Sequence, residues 1–276
     1  MMKIVRFVTE GGKICLGSFD PARPGEARII AGDLFGDLEQ TDQTSRIGRL
    51  LSPVDPPNIL AVGLNYGHHA EETNIRRPEM PVIFIKANSS VIGPEEMILL
   101  PHVGPDQVDY EAELAVIIGR KAKNIRREEA LEYVLGYTCA NDVSARDWQI
   151  EKQKKQWSRG KSFDTFCPLG PCLVTRDEIP DPNRLAIRSI LNGRVMQDSN
   201  TSDMIFDVQT LVSDLSQSLT LLPGTTILTG TPGGVGFTRK PPVFLKDGDR
   251  ITIEIERIGS LSNGVGIEKT TRPDVR

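Results

Sequence analysis

The chain has 276 residues, a formal net charge of −4, 38% hydrophobic and 25% charged residues. This is the balance of a soluble globular protein, with no basic field for nucleic acid and no Lys/Arg run for a membrane surface. The four cysteines, Cys15, Cys139, Cys167 and Cys172, have neither Cys-x-x-Cys spacing nor a neighbouring histidine pair, which argues against a zinc site.

Residues 2–51 read as a small β-rich module. Lys3–Val8 is one strand, Glu10-Gly11-Gly12-Lys13 a turn, Ile14–Ser18 the returning partner, and Ala27–Ile30 a further strand. Met1–Arg6 leads into this pattern without a signal-peptide core, and no apolar run reaches membrane-spanning length. The expectation is therefore a cytoplasmic protein with reduced thiols. The proline-rich stretch Ser52–Asn58 reads as a linker, dividing the chain into 1–56 and 57–276.

Beyond it, Ile59–Gly63 is a short apolar strand. The segment after it carries His68, His69 and Glu72. On a helix His69 and Glu72 share a side, and a carboxylate beside a histidine orients the ring for general-base work. A polar helix start at the surface is the plainer reading of the same spacing. Pro81–Lys86 is a further strand, with Lys86 read as a strand-end cation rather than a ligand anchor. His102 falls in a loop between prolines and is expected to face solvent.

Val108–Ile118 alternates like a strand, with Tyr110, Ala112, Leu114, Val116 and Ile118 on one face and Glu111, Glu113, Ala115 and Ile117 on the other. Two buried carboxylates on one face need a proton, a partner or a shared cation. Asp142, after the apolar run Val134–Ala140, offers a third oxygen donor. An oxygen-only set suits Mg2+ or Mn2+. An edge strand whose acids face water stays open as the alternative.

Ile125–Val134 has the spacing of a short helix. Residues 144–166 are polar and lysine-rich, and most of Arg146, Gln149, Lys152, Lys154, Lys155 and Arg159 read as a solvated face. Lys161 differs, because it precedes apolar residues and could reach into a pocket as a carboxylate clamp. Asn192-Gly193 between two apolar runs is a hairpin signal. Val208, Leu211, Val212, Leu215 and Leu219 fall at helical spacing behind Asp207, a candidate N-cap. The glycine-rich loop after Ile227-Leu228 lacks a P-loop ending. It reads either as a tight turn or as a loop bringing backbone amides and the Thr231 hydroxyl to a small anion.

Five motifs then occur in order: Gly63-Leu64-Asn65-Tyr66 with His69 and Glu72, Asp109–Leu114, Asn141–Asp147, Gly160–Asp164, and Leu228–Pro232. Together, over roughly residues 57–260, this order resembles the fumarylacetoacetate hydrolase superfamily. The resemblance implies an α+β, mainly β fold, a mixed β-sandwich roll with a small N-terminal β module, assembled as a homodimer. It implies Mg2+ or Mn2+ held by Glu111, Glu113 and Asp142. It makes His69 and Glu72 a water-activating dyad on a segment that closes as a lid in relatives. Lys161 and Thr231 become contacts for a substrate carboxylate, with Arg146 and Gln149 as polar partners, while His68 acquires no role. The expected activity is metal-dependent hydrolysis of a C–C bond in an acylpyruvate or 2,4-diketo acid, releasing pyruvate. The alternatives are decarboxylation of oxaloacetate or isomerisation of a 2-hydroxydienoate at the same metal. A scaffold without catalysis is disfavoured by the intact acid, base and lysine positions.

Overall fold

Short alternating strands joined by glycine-bearing turns build most of the protein. The computed structural model describes residues 2–19, 23 and 25–269. The first four strands are β1 (Lys3–Thr9), β2 (Ile14–Phe19), β3 (Glu26–Gly32) and β4 (Leu38–Leu50). β4 has no counterpart in the sequence reading, because its polar residues are largely solvent-facing and leave no apolar alternation to detect. There follow β5 (Ile59–Gly63), α1 (Gly67–Glu72), β6 (Val82–Lys86), β7 (Val91–Ile92), β8 (Ile98–Leu100), β9 (Val108–Asp109) and β10 (Ala112–Ile118). Then come β11 (Val134–Asn141), β12 (Ser144–Ala145), α2 (Trp157–Gly160), β13 (Cys167–Thr175), β14 (Ala186–Leu191) and β15 (Arg194–Asn200). The last elements are α3 (Val208–Ser218), β16 (Thr226–Leu228), β17 (Arg250–Ile255) and β18 (Gly259–Ile267).

An 11-stranded mixed sheet runs β2-β3-β4-β1-β13-β11-β10-β16-β5-β6, with β7 beside β13. The N-terminal strands join it through β1, where Ile4 opposes Leu173 of β13. A 5-stranded sheet, β15-β14-β17-β18-β8, packs against it. β10 lies inside the large sheet and is buried at every residue. Its Leu114, Val116 and Ile118 meet Ile187, Ile251 and Ile253 of the second sheet. Its Ala115 and Ile117 belong to a separate core with Ile4, Ile59 and Leu173. Both faces are covered, which explains the nearly unbroken apolar run.

Local signals are met where they rest on turn and cap chemistry. Asn192 and Gly193 both adopt positive φ (50° and 79°) and close the β14–β15 hairpin. The Asp207 carboxylate accepts the Thr210 N–H at 2.8 Å and starts α3, whose Val208, Leu211, Val212 and Leu215 are buried. Leu219, expected on the same stripe, is the extended residue that ends the helix and is exposed. Residues Arg127–Tyr133 form a 3-10 helix rather than an α-helix. His102 is exposed as expected, 2.9 Å from Glu268. Among the described residues no helix is long and apolar enough to cross a membrane.

Candidate active site

The stretch expected as one strand, Val108–Ile118, is two. β9 pairs with β12, whereas β10 pairs with β11, and the change of partner falls at Tyr110-Glu111. This break frees Glu111 from the ladder and locks it elsewhere. Its N–H donates to the Asn141 side-chain oxygen at 3.0 Å, and its carbonyl accepts the Asp142 N–H at 2.9 Å. Glu113, opposite Ala140 in β11, completes the group. Glu111, Glu113 and Asp142 each offer a carboxylate oxygen within 4.8 Å of the other two.

Among the described residues, every buried Asp, Glu, Lys and Arg gathers around this point: Lys86, Asp109, Glu111, Glu113, Asp142, Arg146 and Lys161. The Lys161 ammonium donates to Glu111 at 2.8 Å and to Asp142 at 2.6 Å. Lys86 donates to the other Asp142 oxygen at 2.5 Å and to the Lys161 carbonyl. Arg146 reaches Asp109 at 2.8 Å and Glu111 at 2.7 Å, under the ring of Phe237. Four carboxylates therefore face three cations. The unmatched one is Glu113, whose carboxylate accepts only the Gly230 N–H, at 2.7 Å, and makes no ion pair among the described residues. Burial pushes the Glu113 carboxyl well above the usual carboxylate range, and Asp142 and Glu111 beside it add to the rise. Glu111 is equally deep, and burial would raise it too, but Lys161 and Arg146 hold it down to about 2. A buried, uncompensated carboxylate within reach of two others makes a cluster capable of coordinating a divalent cation. The all-oxygen donors fit a hard ion.

Glu111 opens onto a cavity of about 640 Å³, which His69, Glu72, Arg146, Gln149, Lys161 and Thr231 also line. Its outer wall is apolar, with Ile75, Phe84, Ile150, Trp157 and Phe237. Glu113 and Asp142 lie behind Glu111. α1 brings His69 Nδ1 to 3.1 Å from the Glu72 carboxylate, whose second oxygen accepts the Gly234 N–H at 2.7 Å. Burial would raise the Glu72 carboxyl, but His69 and that amide outweigh it and hold it below its ordinary value. Lys161 ends α2, which lies against the π-helix Asp147–Lys152 because Gly160 has no side chain: a Cβ there would stand 2.6 Å from Gln149 N.

Four readings from sequence need correction. Lys86 does end β6, but it is a buried cation paired with Asp142 rather than a plain strand-end charge. Arg146 and Gln149 are buried and bonded to each other at 2.8 Å, not part of a solvated face. The edge-strand alternative for the acids falls, because strands flank β10 on both sides. The glycine-rich loop does turn its amides to anions, but the anions are the chain's own. Gly230 serves Glu113, Gly234 serves Glu72, and Gly236 and Phe237 serve Asp109. Gly230 sits at φ 95°, with Asn65 Cβ only 2.7 Å from where its own Cβ would be. The Thr231 hydroxyl accepts from Gln197 Nε2 at 2.7 Å, and Gln197 Oε1 accepts from Ala112 N at 2.9 Å. Asp109, Gln197 and Lys86 all support the site. Sequence reasoning assigned none of them to it. The signal was available only for Asp109, a charged residue beside an apolar strand.

The buried Lys86–Asp142 pair makes a stability prediction. Lys86→Met removes one charge of a fully buried pair, and the expected loss is about 3 kcal/mol of folding free energy. Urea denaturation in the presence of chelator measures it, and an unchanged midpoint would contradict the pairing.

Residues 58–266 match the family described as fumarylacetoacetate (FAA) hydrolase C-terminal. Residues 2–53 match that described as Rv2993c-like, N-terminal. The chain is 46% identical over 267 residues to the mitochondrial oxaloacetate tautomerase fahd2 of Xenopus laevis, covering 93% of this chain and 83% of that protein. The solved 2-hydroxyhepta-2,4-diene-1,7-dioate isomerase from Mycobacterium marinum is similar at 40% identity and a TM-score of 0.84, over 98% of this chain and 100% of that one. A fumarylacetoacetate hydrolase from psychrophilic Exiguobacterium antarcticum is similar at 38% identity and a TM-score of 0.86, over 97% of this chain and 100% of that one. The chain belongs to the fumarylacetoacetate hydrolase family.

Proposed function

We propose that this member of the fumarylacetoacetate hydrolase family is a divalent-metal-dependent tautomerase of small 2-keto acids, with the enol and keto forms of oxaloacetate as its model substrate. The observation that carries the reading is that Glu111, one of three clustered carboxylates, and the oriented His69 line the same cavity. Similarity to proteins described as oxaloacetate tautomerase and as dienoate isomerase favours proton transfer over the hydrolysis expected from the motifs.

Mg2+ or Mn2+ held by Glu111, Glu113 and Asp142 would supply Lewis-acid stabilisation of negative charge on the substrate's 2-oxygen. The remaining chemistry belongs to side chains. With Nδ1 committed to Glu72, His69 Nε2 is the nitrogen available to move a proton at carbon 3 of the substrate. Glu72, held by Gly234 N–H, fixes the orientation of the ring through Nδ1. Arg146, Lys161 and the Thr231 hydroxyl face the same cavity and orient the carboxylate.

A second reading, hydrolysis of an acylpyruvate, draws on the same dyad. The cavity of about 640 Å³ leaves room for a water beside a four-carbon acid, and His69 could deprotonate it.

The test is a substrate comparison with Mg2+, with Mn2+ and with chelator. The expected result is faster decay of enol-oxaloacetate absorbance, abolished by chelation, with no loss of carbon. Acetate and pyruvate from acetylpyruvate would favour hydrolysis instead, and carbon dioxide from oxaloacetate would favour decarboxylation. Light scattering of the purified protein tests the homodimer that belongs to this reading.

A further inference from the structure

α1 carries the His69/Glu72 dyad but has little means of holding itself in place. It is 6 residues long, and its N-cap, Tyr66, offers no side-chain hydrogen bond. So short a helix has no stability of its own, and its first-turn N–H groups need acceptors from elsewhere. The acceptor comes from a distant segment. Asp203 Oδ2 accepts the His68 N–H at 3.0 Å, and His68 Nδ1 lies 3.1 Å from the same oxygen.

The segment bearing Asp203 is itself well anchored. Thr201 is buried, its N–H donating to Leu185 O and its hydroxyl to Pro182 O. Beyond Asp203, Met204 forms a β-bridge with Tyr66. Ile205 N–H donates to the Asn65 carbonyl at 2.8 Å, and Phe206 N–H to the Asn65 side chain at 2.8 Å. Asn65 in turn donates to Thr229 O at 2.8 Å, beside the loop that holds Glu72. The entry to α1 is thus tied to residues 201–206 along its whole approach. Gly67 makes the last contact possible, since a Cβ there would stand 2.9 Å from Asp203 Oδ1 and 2.8 Å from Arg77 Nη2.

We propose that Asp203 is a positioning residue of the reaction: by capping the first turn of α1 at the His68 amide it sets the place of the His69/Glu72 dyad over the carboxylate cluster. It touches neither cluster nor cavity. Its effect passes through the helix, and a displacement of the dyad by about 1 Å is enough to cost a large factor in rate. The inference rests on the dyad reading under the proposed function.

The experiment compares Asp203→Ala, Asp203→Asn and Gly67→Ala in the full chain. Turnover of enol-oxaloacetate, Mg2+ affinity by calorimetry and amide exchange are measured for each. Asp203→Ala is expected to lower kcat by about 10²-fold with Mg2+ affinity unchanged. The Ala70 and Thr73 amides, bonded to Tyr66 O and His69 O, should exchange faster, while those of α3 do not. Asp203→Asn keeps an oxygen acceptor for the His68 N–H and should recover most of the rate. Gly67→Ala pushes only on the ends of two flexible side chains, so it should reproduce the alanine effect in a folded protein. Full kcat in Asp203→Ala, no rescue by asparagine, or a parallel loss of Mg2+ affinity would each overturn the proposal. His69→Ala separates the two failures. If it is inactive while Asp203→Ala is fully active, the positioning role alone is lost. If it is fully active, the dyad reading itself fails.

Discussion

Glu113→Gln is expected to abolish Mg2+ and Mn2+ binding and, with it, turnover, while leaving the metal-free protein as stable as the wild type or more so. Glu113 is the one buried carboxylate of the cluster with no cation beside it among the described residues. Glutamine keeps an oxygen for the Gly230 N–H and replaces a carboxyl whose ionisation burial already disfavours, so the metal-free fold keeps its contact at no added cost of charge. The divalent ion loses its most electron-rich donor. Asp142→Ala is the less informative variant. It would leave the buried Lys86 ammonium without a carboxylate and Lys161 with Glu111 alone, and breaking a buried pair costs about 3–5 kcal/mol. Loss of metal there would be mixed with loss of fold. The measurement for Glu113→Gln is thermal melting with and without Mg2+. A bound ion at about a hundred times its Kd stabilises the wild type by about 2.7 kcal/mol, and the variant should show no such rise. Wild-type Mg2+ affinity in Glu113→Gln would remove the cluster from consideration as the metal site.

His69→Ala is expected to lower the rate of enol–keto exchange by about 10²–10⁴-fold, the usual worth of a positioned acid–base group, with Mg2+ affinity intact. The histidine lines the cavity but is not one of the three clustered carboxylates, of which Glu113 and Asp142 do not line it. Its removal therefore subtracts proton transfer and nothing else. Glu72→Gln should fall between the variant and the wild type, because glutamine still accepts the Gly234 N–H but holds the ring by a weaker, uncharged contact. The stability contribution of Glu72 has a definite sign. Its folded-state pKa is lowered, chiefly by the His69 contact against the opposing effect of burial. The contribution is complete above the unfolded-state glutamate pKa and is lost as pH falls through the lowered folded value. Acid should therefore loosen α1 in the wild type and not in Glu72→Gln. Activity that survives intact in His69→Ala would reassign the proton transfer to another group.

The features legible in the sequence are those whose cause is local. The β14–β15 hairpin follows from Asn192-Gly193, where two consecutive residues need positive φ. α3 follows from one apolar stripe and one capping aspartate. The run Ala112–Ile118 is apolar because both faces of β10 are covered, and its one acid, Glu113, is conspicuous for the same reason. The motif order likewise led to the family. Tertiary structure decided what depends on contacts between distant parts of the chain. β4 is a strand because β3 and β1 flank it, not because its residues alternate. Lys86 and Lys155 are the same residue type, yet Lys86 is buried on an aspartate and Lys155 is exposed at the cavity mouth. The amides of the glycine-rich loop find their acceptors 117 residues away at Glu113 and 162 away at Glu72. Asp203 meets α1 across 135 residues. Spacing along a chain reports which side chains share a face of one element. The charge balance of a buried site depends on which elements meet, and only packing determines that.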